Sequence, residues 1–99
     1  MSGYLLSPAA QADLGQIWDY TAARWGADQA DRYILAIRDA FQALADGRRQ
    51  GRAIDAVRPG YRKMAIGSHF LFFRISGAGL IDVVRILHQR MDVPAHLPD

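Results

Sequence analysis

The chain reads as an α+β fold: an N-terminal strand, an antiparallel two-helix hairpin, and an antiparallel sheet that carries the hairpin on one face. Three observations predict this. Apolar residues recur at helical spacing through the first half, from Leu14 to Leu44. The second half turns to dense apolar runs, His69 to Ile75 (HFLFFRI) and Leu80 to Leu87 (LIDVVRIL), separated by tight-turn residues. Helices grouped together and followed by hairpin-linked strands give an α+β layout, not alternating βα units.

Gly3 to Leu6 is a short opening strand. Ser7 and Pro8 announce a helix, because a serine hydroxyl accepts a free N–H of the first turn and proline needs no N–H there. Leu14, Ile17, Trp18, Thr21 and Trp25 form its stripe, and Gly26 ends it. A second helix starts near Asp28, with Ala30, Tyr33, Ile34, Ile37, Phe41 and Leu44 on its stripe and Gly47 just past its last turn. A link of two or three residues makes the pair an antiparallel hairpin. On this reading Trp18, Trp25 and Phe41 are core, whereas Asp13, Asp19, Asp31 and Asp39 lie mostly off the stripes and in solvent.

Residues 48–60 (RRQGRAIDAVRPG) have no period and carry four arginines against one aspartate. Such a connector is longer than the usual ~4 to 6 residues, and long connections often carry function. Tyr61 to Ile66 is a strand, Gly67-Ser68 a two-residue turn, His69 to Ile75 the next strand, Ser76 to Gly79 a second turn, and Leu80 to about Arg90 the last strand. Val93 to Asp99, with two prolines, reads as a loose tail, so one domain spans residues 1–99 with its core in 1–92. The opening strand can pair beside one of the later strands, in a register that the sequence does not reveal.

Successive side chains on a strand face opposite ways, so Leu71, Phe73 and Ile75 point to one face of the sheet and Phe70 and Phe72 to the other. Both faces are apolar, but two helices make only one covering layer. The second face is therefore expected to be left for a partner. The alternative is that the tail from Val93 folds back over it.

Composition narrows the function. With no cysteine among 99 residues, disulfides, thiolate catalysis and cysteine-based zinc sites are excluded. No run approaches the ~20 apolar residues of a membrane span, and MSGYLLSPAA lacks the form of a signal peptide, so a soluble, cytoplasmic protein without membrane contact is expected. The net charge of +2 is unevenly spread, at −3 over residues 1–47 and +5 over residues 48–99. Eleven of the twelve cations are arginine, whose planar fork suits carboxylates and phosphates, so an acidic partner would be drawn to the C-terminal half. The three histidines, His69, His88 and His96, have no metal-ligand spacing, and no metal or other cofactor is expected.

Four strings carry a family resemblance: LSPAAQADLGQIWDYTAARWG from Leu6, QADRYI from Gln29, GYRKMAIGSHFLFFRI from Gly60 and VVRILHQRMD from Val83. They resemble the ParE toxins of bacterial type II toxin-antitoxin modules, within the wider RelE/ParE superfamily, over about nine tenths of the chain. The resemblance implies a toxin that inhibits DNA gyrase by protein binding. It also implies neutralisation by a ParD-type antitoxin, through which alone the toxin would meet DNA.

The rival within the superfamily is a RelE-like, ribosome-dependent mRNA endonuclease. Cutting RNA through its 2′-hydroxyl needs a proton acceptor, a proton donor and cations for the phosphate. Here those would be His88, Arg85, Arg62 and Lys63, with Arg74 and Arg90. The closing HQRMD has Met91 where the nuclease branch would carry a tyrosine, so no catalytic residue is assigned and the chain is expected not to be an enzyme. A third reading is a degenerate, non-toxic member that only binds antitoxin. The target surface is expected on Arg85, Arg90 and Met91, and the antitoxin surface on Phe70 and Phe72 with Arg48, Arg49, Arg52 and Arg58. A solvated face is the plainer account of any one of those arginines, and a structural hydrogen bond the plainer account of His88.

Overall fold

The computed structural model describes residues 3–98, so Asp99, the last residue of the expected tail, lies outside the described residues. The elements run β1 (Tyr4–Leu6), α1 (Pro8–Trp25), α2 (Ala27–Ala45), β2 (Arg52–Ala53), β3 (Arg62–Ile66), β4 (His69–Ile75), β5 (Ile81–His88) and the single turn α3 (Val93–His96). Among the described residues no helix is long and apolar enough to cross a membrane.

Ser7 caps α1 by accepting the Ala10 N–H at 3.0 Å, with Pro8 in the first turn. The link to α2 is one residue, Gly26. At φ 95° it closes α1 with its N–H on the Ala22 carbonyl and opens α2 by accepting the Ala30 N–H, a conformation that a side chain would strain.

The strands form one five-stranded sheet in the order β1-β5-β4-β3-β2. From β2 to β5 it is antiparallel as expected, but β1 joins β5 in parallel, pairing Tyr4 with Ile81 and Leu6 with Val83, so the whole sheet is mixed. The connector contributes β2, which the sequence did not disclose because two residues are too few to show a period.

A bulge in β5 opposite Phe72 and Phe73 changes the expected facing of residues. Ile81, Val83 and Ile86 face the helices, together with Leu71 and Phe73 of β4, Met64 of β3 and Leu14, Ile17, Ile37 and Phe41 of the hairpin. Val84 does not share a face with Ile86 and His88, as simple alternation requires. The extra residue turns it to the second face beside Leu87 and Phe72.

That second face is not left open. Phe72 is 0% exposed beneath a small core of Tyr61, Val84, Leu87 and Leu97, flanked by Ile54, Phe70 and Val93. The tail is not loose either: Leu97 is only 4% exposed. Arg85 Nη1 donates to the His96 carbonyl at 3.2 Å and Arg58 Nη2 to the Pro94 carbonyl at 3.0 Å. The physical reason is the apolar content of the tail and connector. Val93, Leu97, Ile54 and Tyr61 together hide an apolar face that would be costly to leave wet, each large side chain contributing ~1.5 to 3 kcal/mol.

Candidate functional site

β1 ends opposite Val83, which leaves the C-terminal half of β5 without a neighbouring strand on that side. Unpaired strand edges expose N–H and C=O groups, and here α1 satisfies some of them. The Ser7 N–H donates to the Val83 carbonyl, the Ser7 hydroxyl to the Val84 carbonyl at 2.6 Å, and the Ile86 N–H to Asp13 Oδ2 at 2.9 Å. Asp13 is therefore buried, contrary to the solvated position expected of it. Its carboxylate also receives Arg85 Nε at 2.8 Å and Nη2 at 2.9 Å, a bidentate pair that holds the guanidinium even more firmly protonated than usual. Arg85 is thus half-buried and held by Asp13, with its guanidinium engaged within the molecule.

Past this clamp, a groove of about 650 Å³ opens between the C-terminal half of α1, the start of α2 and the ends of β4 and β5. Ile17, Thr21 and Ile86 lie at its buried side. Tyr20 and Trp25 stand on its rim, 65% and 67% exposed, with the Arg24 guanidinium 5.9 Å from each ring. Trp25 is therefore not core. The cause is its place in the last turn of α1, beyond the reach of the sheet. Trp18 is half-buried, its Nε1 donating to Asp31 Oδ1 at 2.8 Å, and Phe41 is core as expected.

The polar wall is Tyr33, His69 and His88. The β4–β5 register sets His69 opposite His88, ring centroids 5.4 Å apart and edge to face. Tyr33 Oη lies 2.6 Å from His69 Nδ1 and 3.2 Å from the Ile66 carbonyl, and it accepts the Ser68 N–H at 3.1 Å. Its one proton can go to the imidazole or to the carbonyl, so the phenol can match either state of His69. Gly67, at φ 55°, makes room, since a Cβ there would sit 2.6 Å from the tyrosine ring. Burial raises the pKa of Tyr33, and burial followed by the nearby His88 lowers that of His69. His88 Nδ1 accepts the Arg90 N–H at 3.1 Å, which leaves the hydrogen of the neutral ring on Nε2.

The other expected site residues are scattered. Arg62 braces the connector through the Gln50 and Gly51 carbonyls, and it lies four strand residues from the histidine row, roughly 13 Å at ~3.3 Å per residue. Lys63 faces the second side, 4.4 Å from the Phe70 ring, and Arg74 pairs loosely with Asp82 at 3.7 Å. Arg48 pairs with Asp46, while Arg49, Arg52 and Arg90 are exposed, as is Met91 at 44% on the groove rim. Phe70 is half-buried and Phe72 wholly buried, so Phe72 offers a partner nothing in this conformation.

The four groups proposed for RNA cutting thus do not converge on one phosphate-sized space. Among the described residues, no three His or Asp side chains are placed to hold a metal. What does converge is a groove suited to binding: rings, an apolar base and a few proton carriers. Sequence reading missed Tyr20, Trp25, Tyr33 and His69 as a group. No local signal marks them, because Tyr33 and His69 are 36 residues apart and only the β4–β5 register sets His69 against His88.

Comparison with known proteins agrees with this architecture. The model of the ParE toxin of type II toxin-antitoxin system, parDE, matches residues 4–93. Toxin ParE1 of Mycobacterium tuberculosis (strain ATCC 25618 / H37Rv) is 58% identical over 96 residues, covering 97% of this chain and 98% of the relative. Toxin ParE1 of Caulobacter vibrioides is 38% identical, covering 98% and 99%. A solved structure described as the chromosomal ParDE TA system from P. aeruginosa superposes with a TM-score of 0.75 at 25% identity, covering 89% of this chain and 95% of that one. With a family match over residues 4–93, a relative 58% identical over nearly the whole chain and a solved ParDE structure that superposes on it, the chain belongs to the ParE toxin family of type II toxin-antitoxin systems.

Proposed function

We propose that the chain is a cytoplasmic toxin that inhibits DNA gyrase by binding it and is held inactive by a ParD-type antitoxin, meeting DNA only through that antitoxin. The observation that carries this reading is the family match over residues 4–93. The scatter of the nuclease candidates supports action by binding: Arg85 is tied to Asp13, Arg62 to the connector, and Lys63 faces away from His88. The target surface in this reading is the exposed pair Arg90 and Met91, an arginine beside an apolar side chain being a common anchor of protein interfaces. Arg48, Arg49 and Arg52 serve as an acid-seeking approach for the antitoxin.

The test adds purified protein to a gyrase supercoiling reaction and, separately, to programmed ribosomes with primer extension on the message. Inhibited supercoiling, relieved by the antitoxin and weakened roughly five- to thirtyfold by Arg90→Ala, is the expected result. Codon-phased cleavage lost in His88→Ala would establish the nuclease reading instead. Antitoxin binding without either effect would establish a non-toxic member.

A further inference from the structure

We infer that the groove beside α1 seats an acidic, amphipathic segment of the antitoxin, with a carboxylate of that segment placed against His69, His88 and Arg24, and that this contact takes up a proton. The inference rests on the antitoxin reading above and adds the place, the chemistry and the proton linkage. Its first support is charge. From α1 the groove receives Asp13, Tyr20 and Arg24, from α2 Tyr33, from β4 His69 and from β5 His88. The one carboxylate among them, Asp13, is already paired with Arg85 and with the Ile86 N–H. An entering anion therefore meets Arg24 and two imidazoles, opposed only by this paired carboxylate, whose charge still reaches His69.

Shape is the second support. Tyr20, Trp25 and Met91 are large and exposed around one opening, whereas the second face of the sheet is already closed by the chain itself. Rings of this kind, held around an apolar base, bind apolar side chains and exclude water from a central polar contact. A segment alternating apolar and acidic residues meets both needs.

Proton uptake follows from the hydrogen bonds. His88 offers an Nε2–H to an acceptor, because its Nδ1 is occupied by the Arg90 N–H. His69 can be charged without losing its partner: Nδ1–H then donates to Tyr33, whose own proton swings to the Ile66 carbonyl. In the free protein burial and the neighbouring histidine keep His69 neutral more readily than usual. A bound carboxylate reverses that balance, and an adjacent anion raises a histidine pKa by about one unit or more, giving about tenfold in affinity per proton taken up.

The experiment measures the dissociation constant of the full chain with the antitoxin encoded in the same module, by calorimetry at pH 6 and pH 8. The buffers are chosen to reveal proton uptake. About tenfold tighter binding at pH 6 is expected, falling to less than twofold in the His69→Asn, His88→Gln double variant, which keeps one hydrogen-bonding group at each place. Trp25→Ala, at an exposed position that cannot collapse a core, is expected to weaken binding about tenfold at both pH values. Binding that is indifferent to pH, to the double variant or to Trp25→Ala overturns the inference and leaves the antitoxin reading standing. No binding by the parent chain at either pH overturns both.

Discussion

The two faces of this sheet are closed in different ways. On one face a continuous helical hairpin lays Leu14, Ile17, Ile37 and Phe41 over Leu71, Phe73 and Met64. On the other, a patchwork of connector and C-terminal residues, Ile54, Tyr61, Val93 and Leu97, covers Phe72, Val84 and Leu87. The hairpin is regular, so its periodicity announces it; the patchwork has no period, and no local signal marks it as a cover. The open, ring-lined surface is the far end of the hairpin face, floored by Ile17 and Ile86 of that core. It lies where the hairpin runs past the ends of β4 and β5. An apolar strand therefore does not by itself locate a binding surface: the question is what else in the chain can reach it.

The comparison is broken most severely by Phe72→Asp. If the patchwork is true core, a buried carboxylate without a partner costs at least ~4 kcal/mol, and urea denaturation should find the variant largely unfolded. A variant that stays folded but loses the antitoxin would instead show that the patchwork lifts to admit a partner. Next comes the clamp that ties the hairpin face to the tail. Asp13→Ala strands Arg85 and the Ile86 N–H, and it should cost about 3 kcal/mol by the same measurement. Arg85→Ala should cost nearly as much, and the double variant far less than the sum, because one interaction is removed twice.

A smaller effect sharpens the contrast in packing. The Tyr61 hydroxyl is buried on the patchwork side and has no hydrogen-bond partner among the described residues, so Tyr61→Phe should stabilise the protein by about 1 kcal/mol. A loss of stability would mean that this oxygen is satisfied in solution. The smallest effect is expected from pH. His69 has a lowered pKa in the fold, so the unfolded chain takes its proton first. Its contribution is fully present above the ordinary histidine value of about 6.5 and is lost as the pH falls from there toward the folded value. Thermal melts from pH 8 down to pH 5 should show this decline, and His69→Asn should flatten it.

Much of the architecture was legible in residue order. Ser7-Pro8, Gly26 and Gly47 bounded the helices, the β4 segment ran from His69 to Ile75 as read, and Gly67-Ser68 made its turn. The site was less legible. Trp25 fitted a helical stripe, but a stripe gives direction around an axis and says nothing of where the sheet beneath it stops. Asp13 looked solvated for the same reason, since no sequence pattern reveals the unpaired β5 edge that draws it inward.

The sequence by itself determined what is local and periodic: the element order, the helix ends, the turns and the division of β4 between two apolar faces. The family resemblance, carried by contiguous strings, was legible there too. Only the tertiary structure decided the parallel pairing of β1, the bulge that reassigns Val84, the closing of the second face by the tail, and the meeting of Tyr33, His69 and His88. Each of these depends on which distant segments share an edge or a surface, and side chains 36 residues apart, such as Tyr33 and His69, become neighbours only when the whole chain has packed.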